Sequence, residues 1–440
     1  MIIMKFGGTS VGNADRIRKT AELIKSRIHL KPVVVVSAVA KITDALIKLA
    51  NESVNSSGEN SFNQIKNVHL EIINQLVLDK KLLENDFQEL HELVNETGQN
   101  KNINSEVLDN FQSFGERMSS KIVAAYLNKI GIQSESFDSW DLGLVTTNDF
   151  GTAEPLESSY ANIKNNILKL NLVPVITGFI GKSENNEITT LGRGGSDYTA
   201  AIAGRAIEAD EIQIWTDVDG IMSTDPKVVS NAVPIRQVSF AEASELAYFG
   251  ARVLHPKTIL PAMKKKIPVR VLNSFNPSDE GTAIVSKTGK NGHTVKVIAF
   301  KKNVTLINVE STRMLGAYGF LARLFEIFGE YKKSVDVVST SEVSVSITVD
   351  NEDNINGILA KLKEIANVDI SRNKAIICVV GEGMRHTTGI AGRTFSAMGS
   401  NNVNIEMISQ GASEINITFI VDGKDAEKAV KALHNEYFGK

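Results

Sequence analysis

Near the start of the chain, a lysine and a glycine turn form a pattern that can bind an anion. The segment runs KFGGTSVG, in which Lys5 lies near the end of a short apolar strand and Gly7 and Gly8 permit a tight turn. Thr9 and Ser10 follow, where hydroxyl side chains favour a helix start. Backbone N–H groups at such a turn attract negative charge. The segment therefore predicts a seat for a phosphate or for the charge that develops in phosphoryl transfer.

The order of the lysine and the glycines excludes the common P-loop. That motif, G-x-x-x-x-G-K-[ST], places its lysine after the glycines, whereas Lys5 precedes them here. A different nucleotide-binding architecture is therefore expected. Taken alone, KFGGTS is also compatible with a plain structural joint between a strand and a helix.

A second glycine-rich segment, GRGGSDYTAA, precedes a small-residue helix. It predicts another amide-rich helix start, with Arg193 beside it and Ser196 and Asp197 in the first turn. Arg193 could hold a carboxylate in bidentate fashion, and Asp197 could hold Mg²⁺ or orient Lys5. The alternative is an ordinary helix capped by a Ser-Asp pair, with a solvated arginine.

Two further segments offer groups for a small substrate. In SFGERMSS, Glu116 lies at the edge of an apolar helix face, where its carboxylate is either solvated or bound to a cation such as a substrate ammonium group. In VVSAVAKITDAL, Ser37 ends a buried strand and Thr43 lies just beyond it. Ligands bind at the ends of parallel strands, so both residues are candidates for substrate binding.

The segment WTDVDGIMSTDP places polar residues around a turn. These residues are Thr216, Asp217, Asp219 and Asp225. The D-x-D-G pattern within the segment resembles the start of a calcium loop, but the other ligands and the closing glutamate are absent at the required spacing. A turn that contacts a nucleotide is favoured. The seven histidines show no zinc spacing, and no metal site formed by the protein alone is expected.

Composition bounds the class of partner. Of the 440 residues, 42% are hydrophobic, and the formal net charge is −3, so no nucleic acid or membrane partner is expected. Small molecules and copies of the chain itself are favoured. The single cysteine, Cys378, lies in the apolar run AIICVV, which predicts a buried thiol and a reducing cytoplasm. The start MIIMKF is too short for a signal peptide core.

The positions of apolar residues divide the chain into an α/β part and a repeat. Strands and helices alternate on either side of a helical stretch at about 48–128, which predicts a parallel sheet covered on both faces with a helical insertion. Beyond about residue 290, GFLARLF matches GIAGRTF, and VSVSITVD matches INITFIVD about 70 residues later. Each copy has the order expected of a ferredoxin-like unit, typical of a paired ligand-sensing module or of a module used only for oligomer contacts.

Taken together, these motifs resemble those of the aspartokinases. KFGGTSVG, FGERMSS, GRGGSD, WTDVDGI and ARVLHPKT occur in the order and approximate spacing of that family, and the resemblance covers nearly the whole chain. It implies an α/β amino-acid-kinase fold, a carbamate-kinase-like three-layer sandwich with a helical insertion, followed by two ferredoxin-like α+β ACT domains. The expected bounds are 1–290 for the catalytic domain, 304–368 for the first ACT domain and 374–440 for the second. The strand at 294–300 could join the second, because one ACT unit is typically inserted in the other.

The resemblance also implies an activity and a site. The activity is ATP-dependent phosphorylation of the L-aspartate side-chain carboxylate to 4-phospho-L-aspartate, the first step toward lysine, threonine and methionine, with Mg²⁺. Lys5, Gly8 and Asp197 would be catalytic. Aspartate would contact Ser37, Thr43, Glu116, Arg193, Gly195 and Ser196. ATP would contact Lys5, Gly7, Gly8, Ser10, Thr216, Asp217, Met222, Asp225, Lys227 and Arg252, of which Met222, Lys227 and Arg252 replace the usual Tyr, Arg and Lys.

The first ACT unit resembles the effector-binding unit of lysine-sensitive aspartokinases. Two acidic residues there, Asp336 and Glu342, favour L-lysine over L-threonine as the feedback inhibitor. A homo-oligomer through the ACT domains, a dimer or a dimer of dimers, is expected. The residues that would frame the effector are Met314, Ala317, Gly319, Phe320, Leu321, Ser334, Val335, Asp336, Ser341 and Glu342.

Two alternatives remain at this level. One is another enzyme of the amino-acid-kinase fold, such as a glutamate 5-kinase, because glycine loops do not reveal the length of the acceptor. The other is an ACT amino-acid sensor without catalysis. The joint presence of Lys5, Glu116, Arg193 and Asp197 argues against the sensor.

Overall fold

The computed structural model describes residues 1–55, 58–248, 256–289, 294–314 and 318–439. These residues form two compact units. The first comprises the described residues of Met1–Ile221, Arg236–Phe240 and Val253–Thr288, and the second those of Met222–Ile235, Ala241–Arg252 and Gly289–Lys440.

The chain up to Val285 alternates strands and helices, with a run of four helices between its second and third strands. The strands are β1 (Ile2–Phe6), β2 (Pro32–Val36), β3 (Ser134–Phe137), β4 (Val145–Thr146), β5 (Val173–Thr177), β6 (Ile180–Ser183), β7 (Ile188–Thr190), β8 (Glu211–Thr216), β9 (Ile221–Met222), β10 (Pro234–Ile235), β11 (Gln237–Ser239), β12 (Val269–Asn273) and β13 (Thr282–Val285). The helices are α1 (Ala14–Ser26), α2 (Ile42–Ser53), α3 (Glu59–Leu76), α4 (Glu84–Asn100), α5 (Ser105–Lys129), α6 (Ser158–Ile167), α7 (Gly195–Ile207), α8 (Phe240–Tyr248) and α9 (Pro256–Lys265).

An eight-stranded sheet organises the first unit. Its order is β11-β13-β12-β8-β1-β2-β5-β3, and every pair is parallel except β12 with β13. β1 therefore lies between β2 and β8, near the middle of the sheet. Since parallel strands end at one edge, the turns that follow β1, β2 and β8 lie side by side.

Side chains of β1 alternate between the two faces of the sheet. Ile2, Met4 and Phe6 pack in the large core formed with helices α1 to α5, which is the helical layer expected from the insertion. Ile3 points the other way, where its Cγ1 lies 3.4 Å from the place a Cβ would take at Gly204 of α7. Because the period of a strand is two residues, Lys5 shares the α7 face with Ile3.

The second part of the chain forms a six-stranded sheet and four helices. Its strands are β14 (Val297–Glu310), β15 (Val338–Thr340), β16 (Ser344–Val349), β17 (Asn367–Val380), β18 (Met407–Ser409) and β19 (Asn416–Asp422). Its helices are α10 (Phe320–Glu330), α11 (Ile355–Lys363), α12 (Ile390–Ser400) and α13 (Ala426–Phe438). The strand order is β15-β16-β14-β17-β19-β18.

The two long strands β14 and β17 each serve both halves of the repeat. Residues 304–310 of β14 pair with 367–374 of β17 beside β16, whereas residues 297–302 pair with 375–380 beside β19. Each half thereby acquires four strands and two helices in the ferredoxin-like arrangement, with its own apolar core. The stretch 294–300 packs in the core of the second half through Val295 and Ile298. The expected fold class is confirmed.

The compact units divide the chain differently from the boundary expected at about residue 290. Residues 222–235 belong to the second unit, because Val229 packs in the core of its second half and the Ser223 carbonyl accepts a hydrogen bond from the Ile298 amide at 2.7 Å. Helix α8 follows, with Glu242 paired to Lys296 at 2.8 Å. In the described part of the chain, no helix is long and apolar enough to cross a bilayer.

Candidate active site

Lys5, the first residue predicted to be catalytic, lies near the end of β1 and contacts the start of α7. The Lys5 ammonium nitrogen lies 2.6 Å from Asp197 Oδ1, and the two side chains are only 10% and 14% exposed. Asp197 occupies the first turn of α7, where the positive end of the helix dipole also favours a carboxylate. A shielded ion pair of this kind holds the Lys5 ammonium group in place at the edge of the sheet.

The glycine turn after β1 packs tightly against the turn after β2. A Cβ at Gly8 would lie 2.8 Å from the Ala38 carbonyl oxygen, so only glycine fits there without movement. The turn itself is a short 3₁₀ helix, Gly8–Val11, and the Gly7 amide donates to the Trp215 carbonyl at 3.1 Å. Helix α1 begins later, at Ala14. Thr9 and Ser10 therefore lie in the turn and not at the start of helix α1.

Glu116 is buried where α5 passes the end of β2. Its Oε1 accepts a hydrogen bond from the Ala38 amide at 3.0 Å, and a Cβ at Gly115 would lie 2.7 Å from the Ala38 side chain. Its Oε2 has no hydrogen-bond partner among the described residues. Burial raises the pKa of Glu116 to about 8, against the opposing effects of the Ala38 amide and the Lys5 charge. A buried carboxylate with an unused oxygen is suited to receive a cation.

Two further candidates, Ser37 and Thr43, follow β2 in the chain. The Ser37 amide donates to the Phe6 carbonyl at 3.0 Å, and its carbonyl accepts from the Ser119 hydroxyl at 2.7 Å. Thr43 is half-buried in the first turn of α2. Ser37 is thus fixed between β1 and α5, the helix that also carries Glu116.

The glycine-rich segment before α7 forms a helix start, as predicted. Gly194 caps the helix with a φ of 73°, a conformation that favours glycine. Gly195 packs so closely on Phe179 that a Cβ would lie 2.5 Å from its ring, and Ser196 is buried against Gly178. Arg193 is exposed and makes no ion pair with any residue in the described part of the chain. Its guanidinium is therefore available to a substrate carboxylate.

A hydrogen-bonded chain of hydroxyl groups joins the ends of three strands. Ser10 is buried, and its Oγ lies 2.9 Å from that of Ser274, which also donates to the Thr216 carbonyl at 3.1 Å. The Thr216 hydroxyl donates to Asp217 Oδ1 at 3.2 Å. The sequence analysis missed Ser274, although its place directly after β12, next to β8, was a usable signal.

The other described residues predicted to contact ATP do not belong to the first compact unit. Met222, Asp225 and Lys227 belong to the second compact unit, where the Lys227 amide donates to Asp225 Oδ1 at 2.9 Å and closes a turn. Arg252 lies outside the described residues.

The residues predicted to frame the effector lie in the first half of the repeat, before, within and after α10. Met314, Phe320 and Val335 pack against the core of the first half of the repeat, and Gly319 caps α10 with a φ of 81°. Leu321, Ser334, Ser341 and Glu342 are exposed, and Ala317 lies outside the described residues.

Two of the polar effector candidates already have partners within the chain. Asp336 Oδ1 lies 3.3 Å from the Lys301 ammonium, which is also 3.3 Å from Asp350. The Ser341 and Ser344 hydroxyls are 2.7 Å apart across a tight turn. An effector that binds to Asp336 would therefore share this carboxylate with Lys301.

The described residues contain no group of three or more acidic, histidine or cysteine side chains arranged to hold a metal ion. Mg²⁺ in kinases is bound largely by substrate phosphates together with one or two carboxylates. Asp197 is a carboxylate beside the Lys5 ammonium, so its donor type and position fit that role.

Comparison with known proteins identifies the family. Residues 1–273 match the amino acid kinase family, and residues 377–437 match an ACT domain. Aspartokinase 3, chloroplastic, of Arabidopsis thaliana is 40% identical over 455 residues, 99% of this chain and 81% of the relative. Lysine-sensitive aspartokinase 3 of Escherichia coli is 36% identical over 452 residues, 100% of this chain and 99% of the relative.

A solved structure agrees with these relatives. The crystal structure of E. coli aspartokinase III in complex with aspartate and ADP has a TM-score of 0.86 and 34% identity, with all of both chains covered. The similarity thus includes the kinase portion, the helical insertion and the doubled C-terminal unit together. This chain is a member of the aspartokinase family.

Proposed function

We propose that this chain transfers the γ-phosphoryl group of ATP to the side-chain carboxylate of L-aspartate, with Lys5 as the group that offsets charge in the transition state. The observation that carries the proposal is the shielded Lys5–Asp197 pair at the edge of the sheet, beside the buried Glu116. A substrate carboxylate must approach a polyanionic phosphate, so a fixed positive charge and backbone amides lower the barrier. No general base is required, because the carboxyl group, with a pKa of about 4, is already ionised at neutral pH.

The substrate aspartate is proposed to be bound through its α-ammonium group and its α-carboxylate group. Glu116 receives the α-ammonium group, since its buried Oε2 has no partner among the described residues and gains one on binding. Arg193 holds the α-carboxylate, and the α7 amides at Gly195 and Ser196 lie next to it in the chain. Asp197 holds Lys5 in place through Oδ1 and would also contribute to the binding of Mg²⁺.

ATP is proposed to lie along the strand ends that carry Gly7, Gly8, Ser10, Thr216 and Asp217. The relative named above was crystallised with ADP. Mg²⁺, held by the phosphates and by Asp197, would neutralise charge that develops on the transferred group.

Feedback inhibition by L-lysine is proposed for the unit around α10. The relative in E. coli is named lysine-sensitive, and the acidic Asp336 and Glu342 suit a ligand with an additional positive charge. Exposed apolar side chains on the same unit, Tyr318, Leu321 and Phe325, support an oligomer formed through the ACT domains. The proposed location is the cytoplasm, in keeping with the single buried cysteine.

The test is a hydroxylamine trapping assay with ATP and Mg²⁺, run in parallel with aspartate and glutamate. Hydroxylamine converts an acyl phosphate to a hydroxamate, which gives a coloured complex with added iron(III), so product with aspartate and not with glutamate is expected. Product with glutamate alone would indicate a glutamate kinase. Lysine binding with no turnover of either acceptor would indicate a sensor.

A further inference from the structure

Asp109 is a buried carboxylate on α5 that none of the roles described so far uses. It is only 1% exposed, and it accepts hydrogen bonds from three donors. Its Oδ2 accepts from the amides of Gly151 and Thr190, each at 2.8 Å, and its Oδ1 accepts from the Thr190 hydroxyl at 2.8 Å. One helix side chain thus holds two segments that are far apart in sequence.

Both segments contact the loop that carries Arg193. Thr190 ends β7, three residues before Arg193, and its carbonyl accepts from the Ala153 amide at 2.9 Å. A Cβ at Gly192 would lie 2.9 Å from the Gly151 carbonyl oxygen, so the two loops are in close contact there. The Asp109 carboxylate therefore fixes both the residue that begins this loop and the backbone against which the loop packs.

The same helix carries Glu116 two turns later. Seven residues of an α-helix span about 10 Å, and residues seven apart lie on nearly the same face. We propose that Asp109 is a positioning residue that sets the distance between Glu116 and Arg193, and so fits the site to the backbone of aspartate. This inference rests on the proposed substrate contacts of Glu116 and Arg193.

The donors at this site favour an ionised carboxylate. Three N–H or O–H donors converge on two oxygens, and an ionised carboxylate is the side chain that offers only acceptors. An asparagine would lose the negative charge that strengthens these bonds, and its NH₂ group would force the Thr190 hydroxyl to accept instead of donate. Burial raises the pKa of Asp109, whereas the hydrogen bonds from Gly151 and Thr190 lower it. The three bonds thus support the ionised form that holds the loops.

The test combines Asp109→Asn with Arg193→Ala. Asp109→Asn should raise the KM for aspartate about tenfold or more, with the KM for ATP nearly unchanged, because the loss of one charge-assisted hydrogen bond misplaces only the aspartate-binding loop. Added to Arg193→Ala, it should raise the aspartate KM by much less than it does alone. Thr190→Val, which removes one of the three bonds, should change the aspartate KM in the same direction by a smaller factor.

Asp86→Asn is the matched control. Asp86 is equally buried, at 1% exposed, but it pairs with Lys121 at 2.7 Å and not with the loops. The Asp86→Asn variant should have lower thermal stability, but its KM for aspartate should not rise relative to its KM for ATP. An unchanged aspartate KM in both Asp109→Asn and Thr190→Val, or a full additive effect in the Arg193→Ala background, would overturn the proposal. If Asp109→Asn does not fold, the aspartate KM of the Thr190→Val variant still tests the proposal. If Arg193→Ala and Glu116→Gln themselves leave the aspartate KM unchanged, the proposed substrate contacts fail instead.

Discussion

The Lys5 ammonium and the Asp197 carboxylate meet at 2.6 Å although they belong to two sequence motifs that lie far apart in the chain. The alternation of β1 directs Lys5 to the face covered by α7, and the glycines before α7 place Asp197 in its first turn. The pair is largely shielded from water, so its geometry is better defined than that of a surface ion pair. A lysine held in this way can neutralise a developing charge without a large reorganisation.

Loss of either member of this pair should reduce turnover and leave aspartate binding nearly intact. Lys5→Ala and Asp197→Ala are each expected to lower kcat about 100-fold or more, because they remove a contact made mainly in the transition state. Steady-state kinetics with both substrates provides the measurement. Lys48→Ala is the control, since Lys48 forms an exposed pair with Glu52 at 3.5 Å. Unchanged turnover in the Lys5 or Asp197 variant would contradict the assignment.

The affinity for aspartate should depend on pH through Glu116. Its pKa of about 8 means that the carboxyl group is mostly protonated at pH 6 and must ionise to pair with an ammonium group. Affinity is therefore expected to rise by up to about tenfold per pH unit from pH 6 and to level off near pH 8. Calorimetric titration of aspartate across this range gives the profile. Glu116→Gln should bind weakly and without this dependence, and a parallel profile in the variant would exclude Glu116 as the cause.

The same group predicts that the wild-type protein loses stability at alkaline pH. The folded-state pKa of Glu116 is raised from 4.5 to about 8, so the folded protein holds this proton more tightly than the unfolded chain does. Its contribution to the free energy of unfolding is therefore greatest below pH 4.5 and falls as the pH rises toward 8. Glu116→Gln removes this loss and should be more stable than the wild type at pH 9, with a smaller difference at pH 5. Urea denaturation at the two pH values tests the sign, and a difference that shrinks with pH would refute it.

Gly8 should not tolerate a side chain. A Cβ there would lie 2.8 Å from the Ala38 carbonyl, and the amide of Ala38 holds Glu116. Gly8→Ala is expected to lower the free energy of unfolding by about 1–3 kcal/mol and to weaken aspartate binding. Gly399→Ala is the control: among the residues that the structure describes, no atom outside the adjacent backbone of α12 lies within 4 Å of its Cβ position, so a gain of about 0.4–1 kcal/mol is expected. Equal thermal denaturation of the two variants would argue against the close approach at Gly8.

Inhibition by lysine should depend on Asp336 and not on its neighbour Asp350. Both carboxylates lie 3.3 Å from the Lys301 ammonium, but only Asp336 belongs to the proposed effector site. Asp336→Asn is expected to raise the lysine concentration for half-inhibition about tenfold or more, the typical size of a lost charge-assisted contact. Asp350→Asn also removes a partner of Lys301, but it should change the lysine concentration for half-inhibition far less. Similar shifts of the half-inhibitory lysine concentration in both variants would indicate that the altered environment of Lys301, and not a lost effector contact, causes the change. Inhibition by threonine and not by lysine would contradict lysine as the effector.

The sequence by itself determined the local chemistry and the fold class. A strand of Ile2–Phe6 followed by glycines, a helix that begins after Gly194 and a repeat of about 70 residues are local patterns. Periodicity and turn chemistry encode such patterns within a few residues. They were sufficient to indicate phosphoryl transfer, the family and the paired ferredoxin-like units.

Only the tertiary structure decided which distant groups meet. The Lys5–Asp197 pair, the Ser10–Ser274 contact and the pairing of Asp336 with Lys301 all depend on strand order and register. No sequence motif marks Asp109, and only the fold brings the amides of Gly151 and Thr190 to its carboxylate. Such contacts are absent from the linear pattern because burial, and not spacing along the chain, determines which polar groups must find one another.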